Sequence, residues 1–283
     1  MNDITEITKE LVLPMLPKRL PNSHKGTYGT AALVCGSYKM AGAAVLAARS
    51  AYRTGVGKVV SVLPKSIYPI VATAVPEAVF EPYRRFDMKY LKNSTACLIG
   101  CGCGNCKRTE KTVKKILKNY KNTVIIDADG INSIAENIRI IKQYSANAVL
   151  TPHPKEAANI LGVSVAEAQE NREKSVKKIA KLSGAVTLLK GADTLIATPD
   201  ERVYILKNDN SGLATAGSGD VLSGIITALS AMGLTAENSA VSGAFLHAEA
   251  GRLCAEIMSE TSMCASDIID FLPKLFCEIY QNR

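Results

Sequence analysis

Short apolar runs alternate with longer stretches of helix-forming composition through most of the chain. GTAALVCGS, Gly29–Ser37, is apolar and ends in Gly and Ser, which predicts a buried strand. AGAAVLAARSAYRTG follows with helical composition and a stop at Gly55. KVVSVLP supplies the next strand, so Gly29 to Pro64 predicts one strand–helix–strand unit. The alternation continues through strand TACLIGCG, a basic helix near Thr109–Tyr120, strand TVIIDADG and a further helix. Strand NAVLTPHP, the segment KEAANILG and a longer helix from about Ala166 to Leu182 follow. Strands spaced by helices predict an α/β fold with a mainly parallel sheet covered on both faces. The texture then changes. AVTLLKGADTLIATPDERVYIL predicts three β-rich pieces with turns at Gly191-Ala192-Asp193 and Pro199-Asp200. Helices at Asp220–Met232, at Ala236–Met258 and around ASDIIDFLPKLF close the chain. There is no repeat, low-complexity tract or Gly/Ser linker, so the expectation is one domain over residues 1–283.

Composition narrows the class. Of the 283 residues 47% are hydrophobic, enough for a sizeable core, yet no apolar run approaches the ~20 residues that span a bilayer. The start mixes acids and bases without a signal peptide's apolar centre, and a cytoplasmic protein with no membrane partner is expected. The net charge of +8 is spread along the chain and suits phosphate-bearing ligands. With no tryptophan and few other aromatics, a stacking platform for nucleic acid is not expected, and a small anionic substrate is. Among eight cysteines, Cys103-Gly-Asn-Cys106 has the C-x-x-C spacing, but no second pair completes a ligand set. Reduced thiols and no protein metal site are the expectation. His24, His153 and His247 show no metal-binding pattern.

In parallel sheets ligands gather at the carboxyl ends of strands. Gly36, the glycines of 100–104, Asp127, Asp129, His153 and Lys190 all fall there in the predicted arrangement. The segment NDNSGLATAGSGDVLSG, Asn208–Gly224, adds a helix start stripped of side chains before one acid. Unpaired amides at a helix start bind anions, and Gly217 and Gly219 would let the chain approach a phosphoryl group, with Asp220 orienting an attacking hydroxyl. The plain alternative makes Asp220 an ordinary N-cap. Gly42-Ala43-Ala44 suits either a planar ligand or close helix–sheet packing. Asp127 and Asp129 suit either a hydroxyl contact or a turn. His153, held between two prolines, points to a ligand contact, and Lys190 is either a phosphate contact or a solvated lysine.

Taken in order, SHKGTYGTAALVCGS, MAGAAVLAARSAYRTGVGKV, IGCGCG, DADGIN, TPHPKE, LLKGADTLIA, NSGLATAGSGDVLSGI, FLHAEAG and ASDIIDFLP resemble the ADP/ATP-dependent NAD(P)H-hydrate dehydratase family of the ribokinase-like superfamily. The resemblance covers nearly the whole chain. It implies a repair enzyme that phosphorylates the C6 hydroxyl of (S)-NADHX or NADPHX and eliminates phosphate, regenerating NAD(P)H. ADP would be the co-substrate, released as AMP and phosphate, with Mg²⁺ offsetting phosphate charge. It also implies a homo-oligomer, a tetramer, and a separate epimerase. Carried over by motif, Asp220 is the base, and Gly217 and Gly219 form the anion hole. Lys190, Gly191, Ala192, Asp193, Thr194 and Gly219 meet the adenine nucleotide, and Ala43, Gly104 and His153 meet the hydrated dinucleotide. Four positions depart from the family pattern: Cys101 and Cys103 stand for Pro and Leu of GPGLG, Lys155 for a glycine, and Ser211 for a proline. A ribokinase-like vitamin kinase, which would stop at the phosphate ester, and a non-catalytic nucleotide sensor are the rival readings.

Overall fold

The computed structural model describes residues 4–144 and 147–281. Its strands are β1 (Thr5–Glu6), β2 (Thr30–Val34), β3 (Lys58–Pro64), β4 (Val79–Tyr83), β5 (Ala96–Ile99), β6 (Thr123–Ile126), β7 (Ala148–Leu150), β8 (Val186–Leu189), β9 (Thr194–Ala197) and β10 (Val203–Leu206). They form one sheet in the order β1-β10-β9-β8-β7-β6-β5-β2-β3-β4. Pairing is parallel from β8 to β4, antiparallel along β8-β9-β10, and parallel again between β10 and β1.

Alternate strand residues feed two cores. Ala31, Leu33 and Leu98 pack under the helices Ala41–Thr54, Ser218–Ala231, Ala236–Met258 and Ala265–Gln281. Ala32, Val34, Cys97 and Ile126 pack under Lys107–Asn119, Pro154–Leu161 and Arg172–Ser183. Burial on both faces explains why these strands read as continuous apolar runs rather than alternating ones.

Several elements differ from the sequence expectation. The helix expected over Ala166–Leu182 is two, Val165–Glu170 and Arg172–Ser183. Asn171 leaves the helical region at φ −137°, ψ 82°, and its side chain caps the second helix by accepting from the Lys174 amide at 2.8 Å. In TVIIDADG only Thr123–Ile126 is strand, and a helix begins at Asp129. The strand β4 was not anticipated because Pro82 reads as a breaker, but β4 lies at the sheet edge, where the missing N–H is tolerated. The helix expected from Asp220 begins at Ser218, with Gly217 as its N-cap at φ 90°. Asp220 is therefore the third helical residue, and the N-cap reading of it is wrong.

Candidate active site

The carboxyl ends of β5, β6, β7 and β8 converge on the first turn of helix Ser218–Ala231. Gly217 sits in the left-handed region, and a Cβ there would stand 2.5 Å from Leu46 Cδ1. With glycine as N-cap there is no capping side chain, and although the Ser218 amide donates to the Thr215 carbonyl at 3.3 Å, the Gly219 and Asp220 amides stay available to an anion. The helix dipole favours ionisation of an acid at Asp220. Its carboxyl is nevertheless pushed up to about 6, first by burial and then by the nearby Asp127 charge. A hydrogen bond from the Cys101 thiol and the Lys190 charge pull in the other direction. The result is a carboxylate that is ionised at neutral pH and more basic than an exposed aspartate.

Asp127, at the end of β6, is 1% exposed. Its Oδ1 takes the Lys190 ammonium at 2.9 Å and its Oδ2 accepts from Ser223 Oγ at 2.8 Å. Burial works against the charge, but the ion pair and the hydrogen bonds from Lys190, Thr151 and Ser223 outweigh it and hold the carboxyl below the usual aspartate range. Burial likewise opposes the Lys190 charge, and Asp127 with Glu156 holds its ammonium above the ordinary lysine range. The solvated-lysine reading is thus wrong: Lys190 is an anchored cation. A Cβ on Gly219 would lie 3.3 Å from Lys190 Nζ, so the ammonium sits against the proposed anion hole. Ligand atoms of Cys101, Asp127 and Asp220 lie within 4.8 Å of one another. Between the two acids, Ala128 adopts φ 47°, a backbone conformation that costs on the order of 1–3 kcal/mol in a non-glycine residue.

Beside this cluster opens a cleft of about 460 Å³, in the range of small-molecule sites. One wall is the turn carrying Lys190, Gly191, Ala192 and Thr194, and the other runs from Asn208 to Thr215. Ser218, Gly219 and Leu222 form the end nearest the acid, and His247 lies in the floor. His247 Nε2 is 3.1 Å from Ser218 Oγ, and burial pushes its pKa down to about 4, so the ring is neutral. Asn210 Oδ1 accepts from the Gly212 amide at 2.9 Å, while its buried Nδ2 has no hydrogen-bond partner among the described residues. Asp193 is not a lining residue; it is exposed, and its carbonyl is taken up behind the turn by Arg172.

The other predicted residues flank the acid cluster. A Cβ on Gly102 would stand 2.8 Å from Ala43 Cβ, so Ala43 adjoins the turn that carries Cys101. The Gly104 amide donates to Asp129 Oδ2 at 2.7 Å. His153 is the N-cap of helix Pro154–Leu161: its Nδ1 accepts from the Lys155 amide at 3.1 Å and its own amide donates to Glu156 Oε2 at 2.9 Å. That ring is therefore a cap as well as a candidate ligand contact, a role the prolines on either side obscured. Burial and the Lys190 charge lower its pKa. Sequence reasoning missed Cys101, Glu156, Ser223, His247 and Arg172 as parts of the site. Two left a signal: Glu156 stands three residues after its cap, the capping-box spacing, and Ser223 is one turn beyond Asp220.

A helix-covered sheet with an acid behind Gly-Ser-Gly and a nucleotide-sized cleft beside it defines the ribokinase-like class. A ribokinase-like superfamily protein from Enterococcus faecalis overlays with a TM-score of 0.83 at 20% identity, covering 98% of this chain and 96% of that one. The family is narrower. The model of the NAD(P)H-hydrate dehydratase family matches residues 31–274, and the chain belongs to that family. It is 38% identical over 255 residues to the ADP-dependent (S)-NAD(P)H-hydrate dehydratase of Neisseria meningitidis, covering 89% of this chain and 84% of that protein. The ADP/ATP-dependent NAD(P)H-hydrate dehydratase of Bacillus subtilis, co-crystallised with ATP and Mg²⁺, superposes with a TM-score of 0.87 at 30% identity over 98% of this chain and 99% of the other. The chain spans about half the length of the bifunctional NAD(P)H-hydrate repair enzymes that it also matches.

Proposed function

We propose that this protein is an ADP-dependent (S)-NAD(P)H-hydrate dehydratase working as a single domain. The observation that carries the reading is Asp220: a carboxylate pushed up to about 6 beside uncapped helix amides, at the end of a nucleotide-sized cleft. The nucleotide lies between the Lys190–Thr194 turn and residues 208–215, with its transferring phosphoryl group on the Gly217–Gly219 amides and Lys190. The hydrated dinucleotide enters from the side of Ala43, Gly104 and His153. Asp220 orients the ring hydroxyl and takes its proton late in phosphoryl transfer. Phosphate then leaves from C6 far more readily than hydroxide, pushed by the ring nitrogen, and loss of a proton from the neighbouring C5 forms the ring double bond of NAD(P)H.

Mg²⁺ fits this site as an ion carried by the nucleotide phosphates. The hard donors present are the carboxylates of Asp127, Asp129 and Asp220. The Cys101 thiol, held well above its ordinary range by the Cys35 hydrogen bond and by burial, stays protonated and offers no competing soft ligand. The ion supplies charge neutralisation on the phosphates. We further propose a cytoplasmic homotetramer that works alongside an NAD(P)HX epimerase. Among the described residues no helix is long and apolar enough to cross a membrane.

Incubation with NADHX and each of ADP and ATP, followed in the near-ultraviolet band of reduced nicotinamide, tests the reading. Recovery of NADH with release of AMP and phosphate is expected with ADP. No recovery, with phosphorylation of a hydroxymethylpyrimidine or hydroxyethylthiazole instead, would install the vitamin-kinase reading. Tight ADP binding with no turnover of any candidate would install the sensor.

A further inference from the structure

The nucleotide wall is held from behind by a residue that touches no ligand position. Arg172 is the first residue of the helix that restarts after the break at Asn171. Its Nη2 lies 2.8 Å from the Asp193 carbonyl, 3.3 Å from that of Lys190 and 3.4 Å from that of Leu189. Its Nη1 donates to Gln169 Oε1 at 2.7 Å, on the far side of the break. The guanidinium also lies flat against the turn: a Cβ on Gly191 would stand 2.4 Å from Nη2 and 2.5 Å from Nη1. The same turn is tied at its start by the Lys190 amide donating to the Pro152 carbonyl at 2.9 Å.

We infer that Arg172 is a positioning residue for the nucleotide, fixing the Lys190–Thr194 turn in its binding shape through hydrogen bonds from Nη2 to its backbone carbonyls while Nη1 is held by Gln169. The inference rests on the functional reading above. Three features support it. The carbonyls gathered, of Leu189, Lys190 and Asp193, bracket the turn that presents Lys190, Gly191, Ala192 and Thr194 to the cleft. The guanidinium spans the break with two separate nitrogens, Nη2 on the turn carbonyls and Nη1 on Gln169 Oε1, which the single nitrogen of an ammonium cannot do. And Asn171, by interrupting an otherwise continuous helix, is what brings Arg172 to the turn.

The test measures ADP binding by calorimetry, together with steady-state kinetics, for wild type, Arg172→Ala, Arg172→Lys, Gly191→Ala and the Arg172→Ala/Gly191→Ala double variant. Arg172→Ala should weaken ADP binding and raise the KM for ADP by about tenfold, with kcat within about twofold. Arg172→Lys should recover little of the loss. Millimolar methylguanidinium should restore binding to Arg172→Ala, while ethylammonium should not. Because a methyl group at 191 displaces the same guanidinium, the two single effects should not add in the double variant. Wild-type ADP affinity in Arg172→Ala overturns the inference, as does a lowered melting temperature with an unchanged KM, or additive effects in the double variant. Wild-type protein that binds no ADP overturns the functional reading and this inference with it.

Discussion

Two carboxylates in this molecule occupy the same helical position and do opposite things. Asp220 is the third residue of helix Ser218–Ala231, and Glu156 is the third residue of helix Pro154–Leu161. The dipole should lower both pKa values, yet burial is the first cause that raises both, Asp220 to about 6 and Glu156 to about 7. What separates them is the residue three places earlier. His153 supplies a side-chain cap, and Glu156 reaches back to the His153 amide, closing a capping box. Gly217 supplies none, so Asp220 has no capping bond to make and the Gly219 and Asp220 amides remain unspent. One glycine thus converts a structural acid position into a chemical one.

Breaking the chemical member has the largest effect. Asp220→Asn should lower kcat for hydrate repair by about 10²- to 10⁴-fold while ADP binding holds within about threefold. Stability should not suffer. The raised carboxyl means the folded state resists ionisation, so between pH 3.8 and about 6 the wild type loses stability as pH rises and the asparagine variant does not. The melting-temperature difference should therefore grow in the variant's favour up to about pH 6 and level off above it, worth no more than about 3 kcal/mol. Activity has the opposite dependence. It needs the ionised carboxylate, so wild-type kcat should fall about tenfold per unit below a limb near pH 6. Full turnover in Asp220→Asn would remove the acid from the mechanism.

The glycine side of the comparison comes next. Gly219→Ala adds a Cβ about 3.3 Å from Lys190 Nζ, in the space a phosphoryl group would fill. Turnover should drop by roughly tenfold to a hundredfold. Gly219 has no left-handed strain to relieve, and alanine inside a helix gains about 0.5–1 kcal/mol, so the variant should melt at or above wild type. A stabilised but slow enzyme is the expected signature. A variant as fast as wild type would move the phosphoryl site elsewhere.

Glu156→Gln should do little to chemistry and something to the fold. Glutamine keeps a capping acceptor, so kcat should stay within about threefold with its acid limb still near pH 6. Relative to wild type the variant should gain stability as pH rises from 4.5 towards about 7, the interval over which the carboxyl, ionised in the unfolded chain, must take up a proton on folding. Thermal melts across that interval check the sign. A shifted kinetic limb would assign Glu156 to the reaction.

The sequence made one half of this comparison legible and hid the other. The strand–helix alternation was readable because strands buried on both faces leave uninterrupted apolar runs, and Gly-Ser-Gly-Asp stood out as three small residues before an acid while leaving open whether that acid is a cap or a base. The start of helix Ser218–Ala231 was misplaced by two residues because a glycine cap carries no side-chain signature. The break at Asn171 was missed because the residues on both sides are good helix formers and a single side chain, turned to cap Lys174, ends the first helix. Lys190 was ambiguous for a deeper reason: its partner Asp127 is 63 residues earlier, and only the adjacency of β6, β7 and β8 brings the two within 2.9 Å.

The smallest effect concerns the thiol between the two site acids. Cys101 is fully buried, with its Sγ donating to Asp127 Oδ2 at 3.7 Å and close enough to Asp220 for its thiol to pull that carboxyl down. The hydrogen bond with Cys35, then burial, then the neighbouring charges keep it a thiol with a single S–H to donate. Donation favours the ionised form of Asp220, which makes Cys101 a brake on the burial that raises that acid. Cys101→Ala removes the donor and should move the acid limb of kcat upward by about 0.3–0.5 pH units. At pH well above the limb turnover should stay within about twofold, because Asp220 is ionised either way. Cys101→Ser retains an O–H at the same place and should leave the limb at or slightly below its wild-type position. A limb that stays put in the alanine variant, or moves down, would show that the thiol only fills space beside Asp220.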